Sequence, residues 1–72
     1  MEGSVAKNIR DFRKRKGITQ GELAKATNLS RNTIVNFETA RRDPRVRDLR
    51  KIAFALDVPI GQLISDSRQE ET

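Results

Sequence analysis

Asn32 and Asn36 stand four residues apart, with Arg31 directly before the first of them. In a helix, at about 100° per residue, Asn32 lies near 160° and Asn36 near 200° from Ile34, side by side and opposite the apolar positions. A carboxamide offers a donor and an acceptor together, so each of the two could match the N6 and N7 edge of adenine. Arg31 is in the first turn and long enough to take guanine O6 and N7, or a phosphate. Thr33, near 260°, suits a phosphate better than a base edge. Arg41 and Arg42 follow this stretch and could grip phosphates on either side of a groove. Gln20 follows Thr19 at the opening of another helix, where free backbone amides favour an anion. A solvated polar helix face and loop would carry the same residue types, so residue types alone leave both readings open.

These side chains need helices to hold them, and the pattern supplies five. Val5, Ile9 and Phe12 recur at steps of four and three, one stripe of a helix from about Ser4 to Lys16 that Gly17 can end in a left-handed conformation. Thr19-Gln20-Gly21-Glu22 has the form of a capping box and opens a short second helix, with Leu23 and Ala24 facing inward. That helix ends near Thr27, and Asn28 is the next-best substitute for glycine in the turn. Ser30 caps a third helix whose apolar positions are Ile34 and Phe37. Pro44 breaks the loop from Thr39 to Arg45. A fourth helix shows Val46, Leu49, Ile52, Ala53 and Leu56, and a last short turn holds Ile60, Leu63 and Ile64, with Pro59 in its first turn. No strand alternation or internal repeat is visible. The expectation is an all-α domain over 1–64 and a polar, flexible tail over 65–72.

Composition narrows the function classes. At 72 residues the chain builds one small core, and with no cysteine it has neither disulfides nor thiolate metal sites to staple it. The absence of His, Cys and Tyr removes the commonest general bases, thiol nucleophiles and zinc ligands. The glycines are isolated and form no phosphate loop. No catalytic residue, metal site or cofactor is expected. Fifteen Lys/Arg stand against ten Asp/Glu, a net charge of +5. Residues 1–64 hold fourteen of the basic and seven of the acidic groups, so a basic body precedes an acidic end. A polyanionic partner fits that balance, as does a surface merely kept soluble. No apolar run approaches the roughly 20 residues of a membrane span, and the N-terminus lacks the layout of a signal peptide, which points to the cytoplasm.

Residues 20–38 have the spacing of two short helices joined by a tight turn, in which the small Ala24 lets the helices approach closely. The run Ile18-Thr-Gln-Gly-Glu-Leu-Ala-Lys, then Leu29-Ser-Arg-Asn-Thr-Ile-Val-Asn-Phe-Glu38, Arg42-Asp-Pro44, Leu49-Arg-Lys-Ile-Ala53 and Ala55-Leu-Asp-Val58 resembles the Xre/Cro/C1 family of lambda-type repressors. The likeness covers roughly residues 5–64. Departures are Asn28 and Ala40 where the family often has glycine, Gly21 inside the second helix, and Arg45 and Pro59 where it often has a capping hydroxyl.

The resemblance implies a compact five-helix, lambda-repressor-like domain containing a helix-turn-helix. It would bind double-stranded DNA in a sequence-specific way, as a transcriptional repressor or controller reading the major groove with the helix over 30–38. It implies base contacts by Arg31, Asn32 and Asn36 and a phosphate contact by Gln20, to which the residues themselves add Thr33, Arg41 and Arg42 as expected phosphate contacts. Arg13 and Glu38 would form a buried structural salt bridge. Family members usually act as homodimers on a pseudo-palindromic operator. Here the apolar cluster Phe54, Val58, Pro59, Ile60 and Ile64 would make a weak dimer, strengthened on DNA. An antitoxin-like protein-interaction module is the alternative; the short polar stretch after the last helix disfavours it.

Overall fold

The computed structural model describes residues 4–65, so the polar stretch expected over 65–72 lies, apart from Ser65, outside the described residues. Five helices follow in order: α1 (Ser4–Lys16), α2 (Gln20–Thr27), α3 (Arg31–Glu38), α4 (Val46–Leu56) and α5 (Ile60–Ile64). Among the described residues there is no strand.

The starts of α2 and α3 are set by side chains. Thr19 Oγ1 accepts the Glu22 N–H at 3.0 Å while Glu22 Oε1 accepts the Thr19 N–H at 2.8 Å, a complete capping box. Ser30 Oγ accepts the Thr33 N–H at 3.0 Å. The start of α4 is weaker, because the Arg45 guanidinium has no acceptor to offer. Only the Asp48 carboxylate reaches back, to the Arg45 N–H at 3.4 Å. Pro59 stands at the N-cap of α5 (φ −64°, ψ 145°), just outside the first turn where the pattern puts it. Its ring-fixed φ serves either position.

Four helices stop in the same way. Gly17, Asn28, Ala40 and Asp57 hold φ of 76°, 59°, 61° and 61°. Each left-handed residue swings the next N–H back along the helix. Ile18, Leu29, Arg41 and Val58 donate to the carbonyls of Arg13 (3.3 Å), Ala24, Asn36 and Ala53 (3.0 Å each). Only one of the four stops uses glycine, so three carry a Cβ in a region that disfavours it.

The stopped helices wrap one core. Ile9, Leu23, Ile34, Phe37, Ile52 and Leu63 are almost fully buried, with Ala24, Leu49, Ala53 and Leu56 beside them. Val5, Phe12, Ile18, Leu29, Ala55, Val58 and Ile60 seal its edge. Val46, expected on the apolar stripe of α4, is instead 60% exposed. It lies about 120° from Ile52 around the helix and is the first helical residue, so its side chain leans past the end of the core. Ile64 is likewise turned out, at 53% exposure. A contact that no pattern announces closes the bundle: Asn8 Nδ2 donates to both the Leu63 and Ser65 carbonyls at 2.8 Å, tying α1 to the end of α5.

Candidate nucleic-acid interface

α2 and α3 pack on one another, and Leu23, Ala24, Ile34 and Phe37 are their buried contributions to the shared core. The turn between them runs from Asn28 to Ser30. Asn28 reverses the chain, the half-buried Leu29 plugs the core edge, and Ser30 restarts the helix. Buried Thr27 would be an unsatisfied hydroxyl here, but its Oγ1 donates to the Leu23 and Ala24 carbonyls at 2.8 and 3.1 Å. The corner is therefore held by bonded polar groups and a buried apolar seam, as suits a helix that must enter a groove in one orientation.

On α3 the outward side is polar. Arg31 and Asn32 are exposed, while Asn36 is only half-buried rather than fully out in solvent. Over four residues the two carboxamides are about 6 Å apart along the axis, close to two base-pair steps of duplex DNA. The stem of Arg31 runs beside α2: its Cδ lies 4.0 Å from where a Cβ on Gly21 would stand. Arg31 thus lies near the start of α2 as well as at the start of its own helix. Thr33 is half-buried, and its hydroxyl shares a hydrogen bond of 2.8 Å with that of Ser30. Arg41 and Arg42 are exposed just past the stop at Ala40, at the opposite end of α3 from Arg31.

Behind this face lies a polar cluster. Glu38 is 1% exposed and Arg13 9%. Arg13 grips the carboxylate with two nitrogens, Nε to Oε2 at 2.6 Å and Nη2 to Oε1 at 3.1 Å, and gives Nη1 to the Ile18 carbonyl at 2.8 Å. Arg10 Nη1 donates to the Glu38 carbonyl at 3.0 Å. The cluster includes a member that residue spacing does not reveal: Gln20 Nε2 donates to Glu38 Oε1 at 3.1 Å. Its backbone remains at the start of α2, where Thr19 Oγ1 already takes the Glu22 N–H and the N–H groups of Gln20 and Gly21 are the ones the capping box leaves over.

The apolar cluster near the last helix divides in two. Val58 and Ile60 pack half-buried against the core. Phe54 is 89% exposed, and Pro59 and Ile64 are also exposed. Phe54 and Pro59 border a shallow groove that Lys16 shares. On α4, Phe54 ends an exposed stripe that also carries Arg47, Arg50 and Lys51.

The chain matches the model of the helix-turn-helix family over residues 9–63. It is 34% identical over 59 residues to the cryptic phage CTXphi transcriptional repressor RstR of Vibrio cholerae, covering 82% of this chain and 53% of that protein. It therefore spans about half the length of that relative. Among solved structures it superposes on the hypothetical transcription factor NHTF from Neisseria with a TM-score of 0.89 and 32% identity, over 96% of this chain and 79% of the other. The P22 c2 repressor, solved in complex with synthetic operator 9T, gives a TM-score of 0.80 at 26% identity, over 85% of this chain and 92% of that one.

Proposed function

The chain belongs to the helix-turn-helix family, and on that premise we propose that it is a sequence-specific double-stranded DNA-binding regulator of transcription, a repressor or controller, that lays α3 in the major groove. The observation that carries the reading is the pairing of a capped and tightly bonded α2–turn–α3 corner with an outward face bearing Arg31, Asn32 and Asn36. Those three read base edges. Gln20 at the start of α2, Thr33 beside the Ser30 cap, and Arg41 and Arg42 past the end of α3 hold the flanking phosphates and set the register without reading sequence. The operator-bound P22 repressor supports this docking by likeness of fold.

One recognition helix covers few base pairs, so a unique site calls for two of them, about 34 Å apart on one face of the duplex. The exposed side chains Phe54, Pro59 and Ile64, with Val58 and Ile60 beneath them, form the pairing surface. The patch is small, so the dimer is weak in solution and strengthens on a pseudo-palindromic operator. The cytoplasm is the place of action on this reading.

Selection of bound duplexes from a random pool tests the reading. A defined motif should emerge, and Asn32→Ala should relax one or two of its positions by about 1–3 kcal/mol while the protein melts as before. No enriched motif, or a variant that melts far lower, would reject the assignment.

A further inference from the structure

Gln20 is half-buried, and its carboxamide points one way for a reason. The acceptor it faces is a carboxylate, which accepts and never donates when ionised. Turned about, the amide would set its carbonyl oxygen against Glu38 Oε1 at the same 3.1 Å, acceptor against acceptor. The NH2 end must therefore face Glu38, which fixes an orientation that electron density alone often leaves open. One of the two N–H groups on Nε2 is spent on this bond. The other has no partner among the described residues. Glu38 itself is held from behind by the Arg13 fork and is nearly sealed from solvent. Its charge is thus answered within the fold, and a phosphate approaching α2 meets the neutral amide, with the carboxylate offset by a guanidinium 2.6 Å away.

We infer that Glu38, neutralised by Arg13, is a positioning residue for DNA binding: it pins Gln20 so that an N–H, and not the carbonyl oxygen, is presented to the phosphate backbone at the start of α2. The inference rests on the reading of Gln20 as a phosphate contact. It adds that the buried ion pair prepares that contact before DNA arrives. A free glutamine would have to be ordered, and half its amide orientations rejected, during binding; the pinned one avoids that cost. Gln20 then contributes equally on every DNA sequence, because a phosphate carries no base identity.

A double-mutant cycle on the full chain tests this, with affinity measured by fluorescence anisotropy on two duplexes of unrelated sequence and folding checked by circular dichroism. In the otherwise unaltered protein, Gln20→Ala should weaken binding to both duplexes by about tenfold, the scale of one hydrogen bond to a charged group. In a background carrying Arg13→Met and Glu38→Met, the same change should alter affinity less than about twofold, since the amide is no longer pinned. Should that background fail to fold, Glu38→Gln serves instead: its amide can present either its oxygen or its NH2 to Gln20, so the orientation of Gln20 is no longer dictated and Gln20→Ala should again alter affinity less than about twofold. An equal loss in both backgrounds would overturn the positioning role while leaving the phosphate contact intact. No loss from Gln20→Ala in the unaltered protein would remove the phosphate contact itself, and the inference with it.

Discussion

Ala40 is the residue whose replacement has the least intuitive sign. It ends α3 at φ 61°, is exposed, and is not part of the buried core. Holding an L-residue in that region costs about 1–2 kcal/mol, while glycine there is unstrained but loses about 0.5–1 kcal/mol more entropy on folding. The difference predicts that Ala40→Gly stabilises the protein by about 0.5–1 kcal/mol, raising the melting temperature of a domain this size by about 3–6 °C. Ala26 supplies the control. It is exposed too, but sits within α2 at helical dihedrals, so Ala26→Gly should destabilise by about 1 kcal/mol. Urea and thermal denaturation of both variants measure the two values. Opposite signs are required. If Ala40→Gly melts at or below the parent temperature, the strain ascribed to this stop does not exist.

Glu38→Ala strands the Arg13 guanidinium in a buried site and should cost about 3–5 kcal/mol, while joint replacement of both residues by methionine should recover much of the loss. Arg42 is exposed past the end of α3, so Arg42→Ala should weaken binding to all duplexes alike and flatten the slope of log affinity against log salt by about one unit; a loss confined to one base pair would deny it a phosphate role. Because Ile60 supports the core, the pairing surface is better probed at Ile64. Ile64→Asp should abolish cooperative binding to a two-half-site operator and leave a single half-site unaffected, and an unchanged cooperative curve would place the dimer contact elsewhere.

What could be read in advance follows from how local each signal is. The capping box at Thr19, the cap at Ser30 and the left-handed stops at Gly17 and Asn28 are each decided within a few residues, and they stand where the pattern puts them. Asp57 takes the same left-handed role unannounced, since aspartate serves equally well at helix starts and in turns. Val46 has the right periodicity but lies in a first turn, where periodicity no longer implies contact with the core. The bonds that cross the fold left no trace in spacing. Nothing about Asn8 indicates carbonyls 55 and 57 residues away, nor does Gln20 advertise a carboxylate 18 residues on. The polar outward face of α3 was legible from the wheel, but the partial burial of Asn36 depends on what surrounds the end of the helix.

The four left-handed stops also bear on how quickly the chain finds its fold. Each is completed by a hydrogen bond between residues five apart, so a helix end can form before any two helices have met. A domain assembled from such self-punctuating segments has low contact order, and helical proteins of that kind reach the native state in microseconds to milliseconds. What remains for the later search is the contacts that join distant helices, such as Arg13 with Glu38 across 25 residues and Asn8 with the Leu63 carbonyl across 55. Locally written helix ends thus separate the forming of each helix from the joining of one helix to another.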